Sequence, residues 1–230
     1  MSYSLASAIT QVRSIINEPV ALIIDDAEIT QYLHFATRIA SALTLCNMES
    51  EGITVVENCF QYSTAKKFIK IEHVTYDIEG GDANRRGPYA LQRISLKGIG
   101  NVCAGTASIP RFYAVWGTGS GSATVKNIIV WPICQAPASV EKITVTGYVP
   151  VVAYASDGST MPSYLHYPCI NYALSCCHAK QGGHQLAAMY MKQFLADCSF
   201  YRREIYDWRR SVDSKDMTKV PDITRFATTG

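Results

Sequence analysis

Apolar positions recur every three or four residues at both ends of this chain and switch to short β-rich runs in its middle. Near the start, Leu5, Ala8, Ile9, Val12, Ile15 and Ile16 trace one helical face, and Pro19 ends it because proline cannot continue a helix. A second helix is expected over "DDAEITQYLHFATRIASALTLC". Asp25 caps it while Glu28 reaches back in a capping box, and Ile29, Leu33, Ala36, Ala40 and Leu43 line its apolar face.

From about Gly52 the texture changes. "ITVVENCFQYS", "FIKIEHVTYDI", "PYALQRISLKGI", "RFYAVWG", "VKNIIVWPI" and "EKITVTGYVPVVA" are rich in β-branched and aromatic residues and separated by Gly, Pro, Asn and Ser clusters. In "FIKIEHV", Phe68, Lys70 and Glu72 alternate with Ile69, Ile71 and His73, a half-buried pattern. About six short strands without helical periods between them predict an antiparallel sandwich or barrel-like domain.

Helical spacing returns after "SDGSTMP". Leu165, Ile170, Ala173, Leu174 and Cys177 mark one helix, and Gly182-Gly183 interrupts it. A longer helix follows from about His184 to Trp208, with Leu186, Tyr190, Phe194, Cys198, Tyr201, Ile205 and Trp208 on one stripe. The expected fold class is therefore α+β. An N-terminal helix pair (1–48) and a C-terminal helical hairpin (161–210) form a bundle, a β-domain (49–160) is inserted between them, and an extended arm (211–230) follows.

The 230 residues suffice for a substantial core, and 48% apolar with 17% charged residues exclude a disordered chain. A net charge of +2 lacks the basic stripe of a dedicated nucleic-acid binder, and the run Arg202, Arg203, Arg209, Arg210 is interrupted by Glu204 and Asp207. No basic-then-apolar leader begins the sequence, and the longest aliphatic run, "VALII", is far short of a membrane span. A reducing compartment with eight free cysteines is the expectation.

Candidate chemistry changes this picture little. "CINYALSCCHAKQGGHQLAAMYMKQFLADC" holds four cysteines and two histidines, but Cys176 and Cys177 are adjacent, and on a helix they point about 100° apart. His178 and His184 lie across the double glycine, outside helical ligand spacing, and Cys169 and Cys198 fall on apolar stripes. The stretch reads as a hairpin closed by a left-handed glycine, and neither metal nor cofactor is expected. "WGTGSGSATVK" lacks the Gly-Lys-Ser/Thr ending of a phosphate loop and runs into a strand. Asp25, Asp26 and Glu28 cluster where a helix start favours carboxylates anyway. His34, His73, His166, His178 and His184 have no nucleophile or carboxylate at suggestive spacing, so no catalytic residues are assigned.

The order of elements then carries a resemblance. "SIINEP" and "DDAEITQYLHFATRIASAL" are followed by "KKFIKIEHVTYD", "PRFYAVWG" and "IIVWPICQAPASVEKITVTGYVP". The chain then runs into "MPSYLHYPCINYALSCCHAKQGGHQLAAMYMKQFLADCSFYRREI". Over residues 5–208 this resembles the head-to-tail adaptor (connector) proteins of tailed bacteriophages. The resemblance implies a virion protein at the head-tail junction, assembled in the host cytoplasm as a ring of about twelve copies, a homo-dodecamer. Its implied partners are the portal protein, a tail nozzle or tube protein, and DNA passing non-specifically through the channel; no membrane is implied.

On that reading the arm binds portal through Trp208, Val220, Ile223 and Phe226, with Arg209, Arg210, Lys215 and Lys219 meeting acidic portal surface. The loops 78–88 and 117–123, with Asn84, Arg85, Arg86, Thr118 and Ser120, face the tail. The alternatives are a head-completion or tail-terminator ring protein and, in another class, a β-domain that binds a small molecule or acts as an enzyme. That last reading requires a deep pocket with perturbed titratable groups.

Overall fold

Ser4 opens the first helix reciprocally with Ser7: each side chain accepts from the other's backbone amide, at 3.1 and 3.2 Å. The helix, α1 (Leu5–Ile16), buries Ala8, Val12 and Ile16 and ends at Asn17 in the left-handed region, φ 55°. The computed structural model describes residues 4–18, 23–78, 88–97, 109–117, 126–133, 141–151, 153–154 and 161–213, with 78, 117 and 208–213 described by backbone alone.

Among the described residues, α2 (Asp26–Thr44), α3 (His166–Lys180) and α4 (His184–Asp213) join α1, and eight strands make two four-stranded sheets. Contacts divide the chain into two units, one of residues 1–46 with 151–230 and one of residues 47–150.

In the helical unit α3 is the central element, packed by α1, α2 and α4. It buries residues around most of its circumference, including Pro168, Cys169, Ile170, Ala173, Leu174 and Cys177, with Tyr167 and the last turn left exposed, so it is only weakly amphipathic. Its buried polar groups are satisfied: Ser175 Oγ donates to the Ala187 carbonyl at 2.8 Å, and Asn171 Nδ2 donates to Asp197 at 3.2 Å.

The turn to α4 is a complete Schellman motif. Gly183 N–H reaches the His178 carbonyl at 2.8 Å, Gly182 N–H reaches that of Ala179 at 3.2 Å, and Gly182 supplies φ 81°. On α4, Ala187, Phe194 and Cys198 are buried, whereas Leu186 is exposed, so the seam is rotated away from the position that the expected stripe gave Leu186. Helical backbone continues to Asp213, beyond Trp208 and into the first three residues expected to belong to the arm.

The strand-rich unit contains β1 (Met48–Thr54), β2 (Gln61–Ser63), β3 (Lys70–Ile78), β4 (Tyr89–Ala90), β5 (Gln92–Arg93), β6 (Phe112–Gly117), β7 (Lys126–Trp131) and β8 (Glu141–Tyr148). One sheet has the order β1-β8-β3-β4 and the other β2-β7-β6-β5. The expectation of a wholly antiparallel domain is corrected at one pair, since β5 runs parallel to β6. A single core draws Val74, Tyr76, Ile143 and Val145 from the first sheet and Tyr62, Tyr113, Ile128 and Val130 from the second.

The alternation expected in "FIKIEHV" is also corrected. A register shift between Ile71 and His73 moves the buried set to Ile71, Val74 and Tyr76, because a bulge advances the pleat by one residue. This unit closes at Pro150, ten residues before the boundary expected at 160; Val151 and Tyr154 sit in the helical core instead.

Candidate assembly surfaces

The connection between α1 and α2 is organised by Arg13. Its guanidinium donates to the carbonyls of Glu18 (3.2 Å) and Ile24 (3.1 Å) and through Nε to Asp26 (2.7 Å). Asp25 caps α2 by accepting from Glu28 N–H at 2.7 Å, as expected. The Glu28 carboxylate, expected to complete a capping box, instead takes Lys180 Nζ at 2.5 Å and the Tyr32 hydroxyl at 2.7 Å. Those two hydrogen bonds hold its pKa below the ordinary carboxylate value. The acidic start of α2 is thus absorbed by helix capping and by ties to α1 and α3.

Three of the four cysteines from Cys169 to Cys198 lie in packing positions. Cys169, Cys177 and Cys198 are buried, and burial pushes each thiol up to about 12, far from thiolate chemistry at neutral pH. His178 stacks on Tyr190 at 5.5 Å between ring centroids. Among the described residues no three His, Cys, Asp or Glu side chains gather where they could hold a metal ion, and no helix is long and apolar enough to cross a membrane.

Exposed apolar side chains are the more informative feature. On α2, Phe35 (52% exposed) and Ile39 lie opposite the buried Leu33, Ala36 and Ala40. On α4, Leu186, Met189, Leu195 and Phe200 lie off the buried seam. The signal in the sequence was apolar residues lying off the first stripe, hidden because one stripe per helix was enough to explain burial.

In the strand-rich unit, the loop between β1 and β2 exposes Val56 and Phe60. Its backbone is gathered on one hydroxyl: Tyr62 Oη lies 3.0 Å from the Cys59 carbonyl and 3.2 Å from that of Val56, and it accepts Val56 N–H at 3.4 Å. At β1, Lys66 Nζ donates to the Ser50 carbonyl (3.0 Å) and pairs with Glu49 (2.6 Å), while Glu51 accepts the amides of Ala65 and Lys66. Lys66 holds the Glu49 carboxyl below its usual range. A lysine laid over an outer strand blunts it against unwanted pairing.

The residues expected to contact portal and tail fall at or beyond the limits of the description. Trp208, Arg209 and Arg210 lie on helical backbone of α4. Lys215, Lys219, Val220, Ile223 and Phe226 lie outside the described residues, as do Asn84, Arg85, Arg86, Thr118 and Ser120. The flanks of the two loops are described. Residues 79–87 join β3 to β4, whose pairing includes Tyr76 with Tyr89, and 118–125 join β6 to β7 between Gly117 and Lys126. The two connections belong to different sheets.

Among known families, a model described as SU10 adaptor protein matches residues 3–215. A search of curated proteins finds no match.

Proposed function

The chain belongs to the SU10 adaptor protein family, a family of phage head-tail adaptors, and from that premise we propose that it forms a ring bridging the portal to the tail nozzle or tube. The ring, of about twelve copies, extends the DNA channel. The observation that carries this reading is the family match, which takes in both the helical and the strand-rich units and stops near the end of α4. In this reading the helical unit is a bundle that builds the ring, and the strand-rich unit is a sandwich whose connections 79–87 and 118–125 meet the tail.

The segment beyond α4 locks onto portal. Such a segment loses conformational entropy as it orders, so Trp208, Val220, Ile223 and Phe226 supply apolar anchoring while Arg209, Arg210, Lys215 and Lys219 meet acidic surface. DNA contact in the lumen is weak, because a channel must let the polymer slide.

The test is a particle-mass measurement, with images, of the purified chain mixed with its portal. A portal particle enlarged by a ring of copies is expected; a portal of unchanged mass overturns the proposal. Deleting residues 211–230 is expected to leave a folded chain that no longer binds portal, and retained binding refutes the arm's role. Shortening 79–87 or 118–125 is expected to block tail attachment while leaving portal docking intact; normal tail attachment counts against that assignment.

A further inference from the structure

The helical unit has two outward apolar faces on two different helices, and each is built from residue types that favour protein interfaces. On α2, Phe35, Ile39 and Ala42 are exposed, and from Gln31 to Thr44 the helix carries no acidic residue. On α4, Met189 (53% exposed), Ala196 and Phe200 (49% exposed) share a face with Leu186 at its flank, and from Leu186 to Ala196 Lys192 is the sole charge. Interface centres are enriched in Phe, Met and Arg, and each of these faces carries a single cation among its apolar residues, Arg38 on α2 and Lys192 on α4.

Polar side chains beside the α4 face are already engaged within the chain. Gln193 Nε2 donates to Asp197 at 2.7 Å, Asp197 accepts from Asn171, and Ser199 Oγ donates back to the Leu195 carbonyl at 2.8 Å. Docking against this face therefore strands few polar groups. A half-exposed large side chain leaves on the order of 100 Å² to water. At that scale Phe35 with Ile39 present roughly 200 Å² and Leu186, Met189 and Phe200 roughly 300 Å². That is about half of the apolar share of a standard interface of ~800 Å² per partner, around which Ala42, Ala196 and a polar rim complete the contact.

We infer that the α2 face of one copy docks on the α4 face of the next, a head-to-tail contact between copies of this chain. One contact of this kind covers both faces at once, and repeating it around an axis closes a ring; a self-pairing contact leaves one of the two faces bare. The inference rests on the ring reading and names its interface.

Two variants of the full chain test it: Phe35→Asp with Ile39→Asp, and Met189→Asp with Phe200→Asp. Assembly is followed by sedimentation over a range of concentrations, with circular dichroism and melting as checks on folding. Wild type is expected to assemble and each variant to be monomeric. Their mixture is expected to form a one-to-one dimer that grows no further, since each variant keeps the face the other has lost. Milder single changes, Ile39→Gln and Ala196→Gln, are expected to weaken assembly about tenfold. Full assembly by either double variant overturns the interface and leaves the ring reading standing, as does failure of two folded variants to combine. A wild-type chain that stays monomeric at every concentration overturns this contact and leaves the ring reading to the portal measurement.

Discussion

Lys180, in the last turn of α3, donates to Glu28, in the first turn of α2, at 2.5 Å across 152 positions of sequence. The strand-rich unit lies between them in the chain, yet both belong to the helical unit. The pair joins the end of the central helix to the start of a neighbour, where the helix dipole favours a cation and an anion respectively.

The pH dependence of this pair has a definite sign. Lys180 first, and the Tyr32 hydroxyl second, lower the Glu28 pKa in the folded chain. The stabilisation is complete above the unfolded carboxyl value, about 4.3, and is lost as the pH falls through the folded value. In Lys180→Met, melting is expected to occur at lower temperature at pH 7, with the gap to wild type closing below pH 4 and narrowing in high salt. Melting curves at several pH values check this.

His166 is buried with Nδ1 2.7 Å from the Tyr154 hydroxyl, and burial lowers its pKa. The unfolded chain therefore takes up this proton first, near pH 6.5. Stability is fully present above that value and is lost as the pH falls from it toward the folded value. His166→Gln is expected to show a smaller change in melting temperature between pH 7.5 and 5.5 than wild type. An equal change in both chains contradicts it.

Arg13 satisfies two carbonyls of the α1–α2 connection as well as Asp26. Arg13→Met keeps the aliphatic bulk but leaves those carbonyls without their donor, at an expected loss of about 2–3 kcal/mol. Chemical denaturation of the full chain, read by a probe in the helical unit, measures it.

Two glycines are expected to respond for different reasons. A Cβ on Gly147 meets the Lys70 carbonyl oxygen at 2.4 Å and Ile71 Cα at 3.0 Å, contacts with backbone that cannot swing aside. Gly147→Ala is expected to cost the strand-rich unit about 3 kcal/mol. Gly182 has open space around it and φ +81°, so Gly182→Ala is expected to cost the hairpin about 1 kcal/mol through backbone strain alone. Equal losses in the two variants would falsify this division.

Local physics made much of the chain legible without coordinates. Apolar spacing of 3–4 marks a helix wherever one side must be dry, and glycine at a left-handed position closes one, so "KQGGH" reads as the turn it is. Asp25 caps α2 because a carboxylate before a first turn satisfies free amides wherever that turn occurs. Cysteines at helical stripe positions read as packing residues for the same reason.

What needed the tertiary structure is whatever depends on a partner distant in sequence. The bulge at Ile71–His73 exists because β3 must match β8 as well as its own alternation. Glu28 chose Lys180 over its local amide because α3 places an ammonium there. Leu186 and Phe35 are as apolar as their buried neighbours, and only the packing around α3 decides which residues stay outside. Sequence determined which segments are helical, which are strand-rich and where they turn, since those follow from steric and burial rules acting over a few residues. Tertiary structure alone decided which apolar faces remain uncovered, because exposure depends on every other element that competes for the same core.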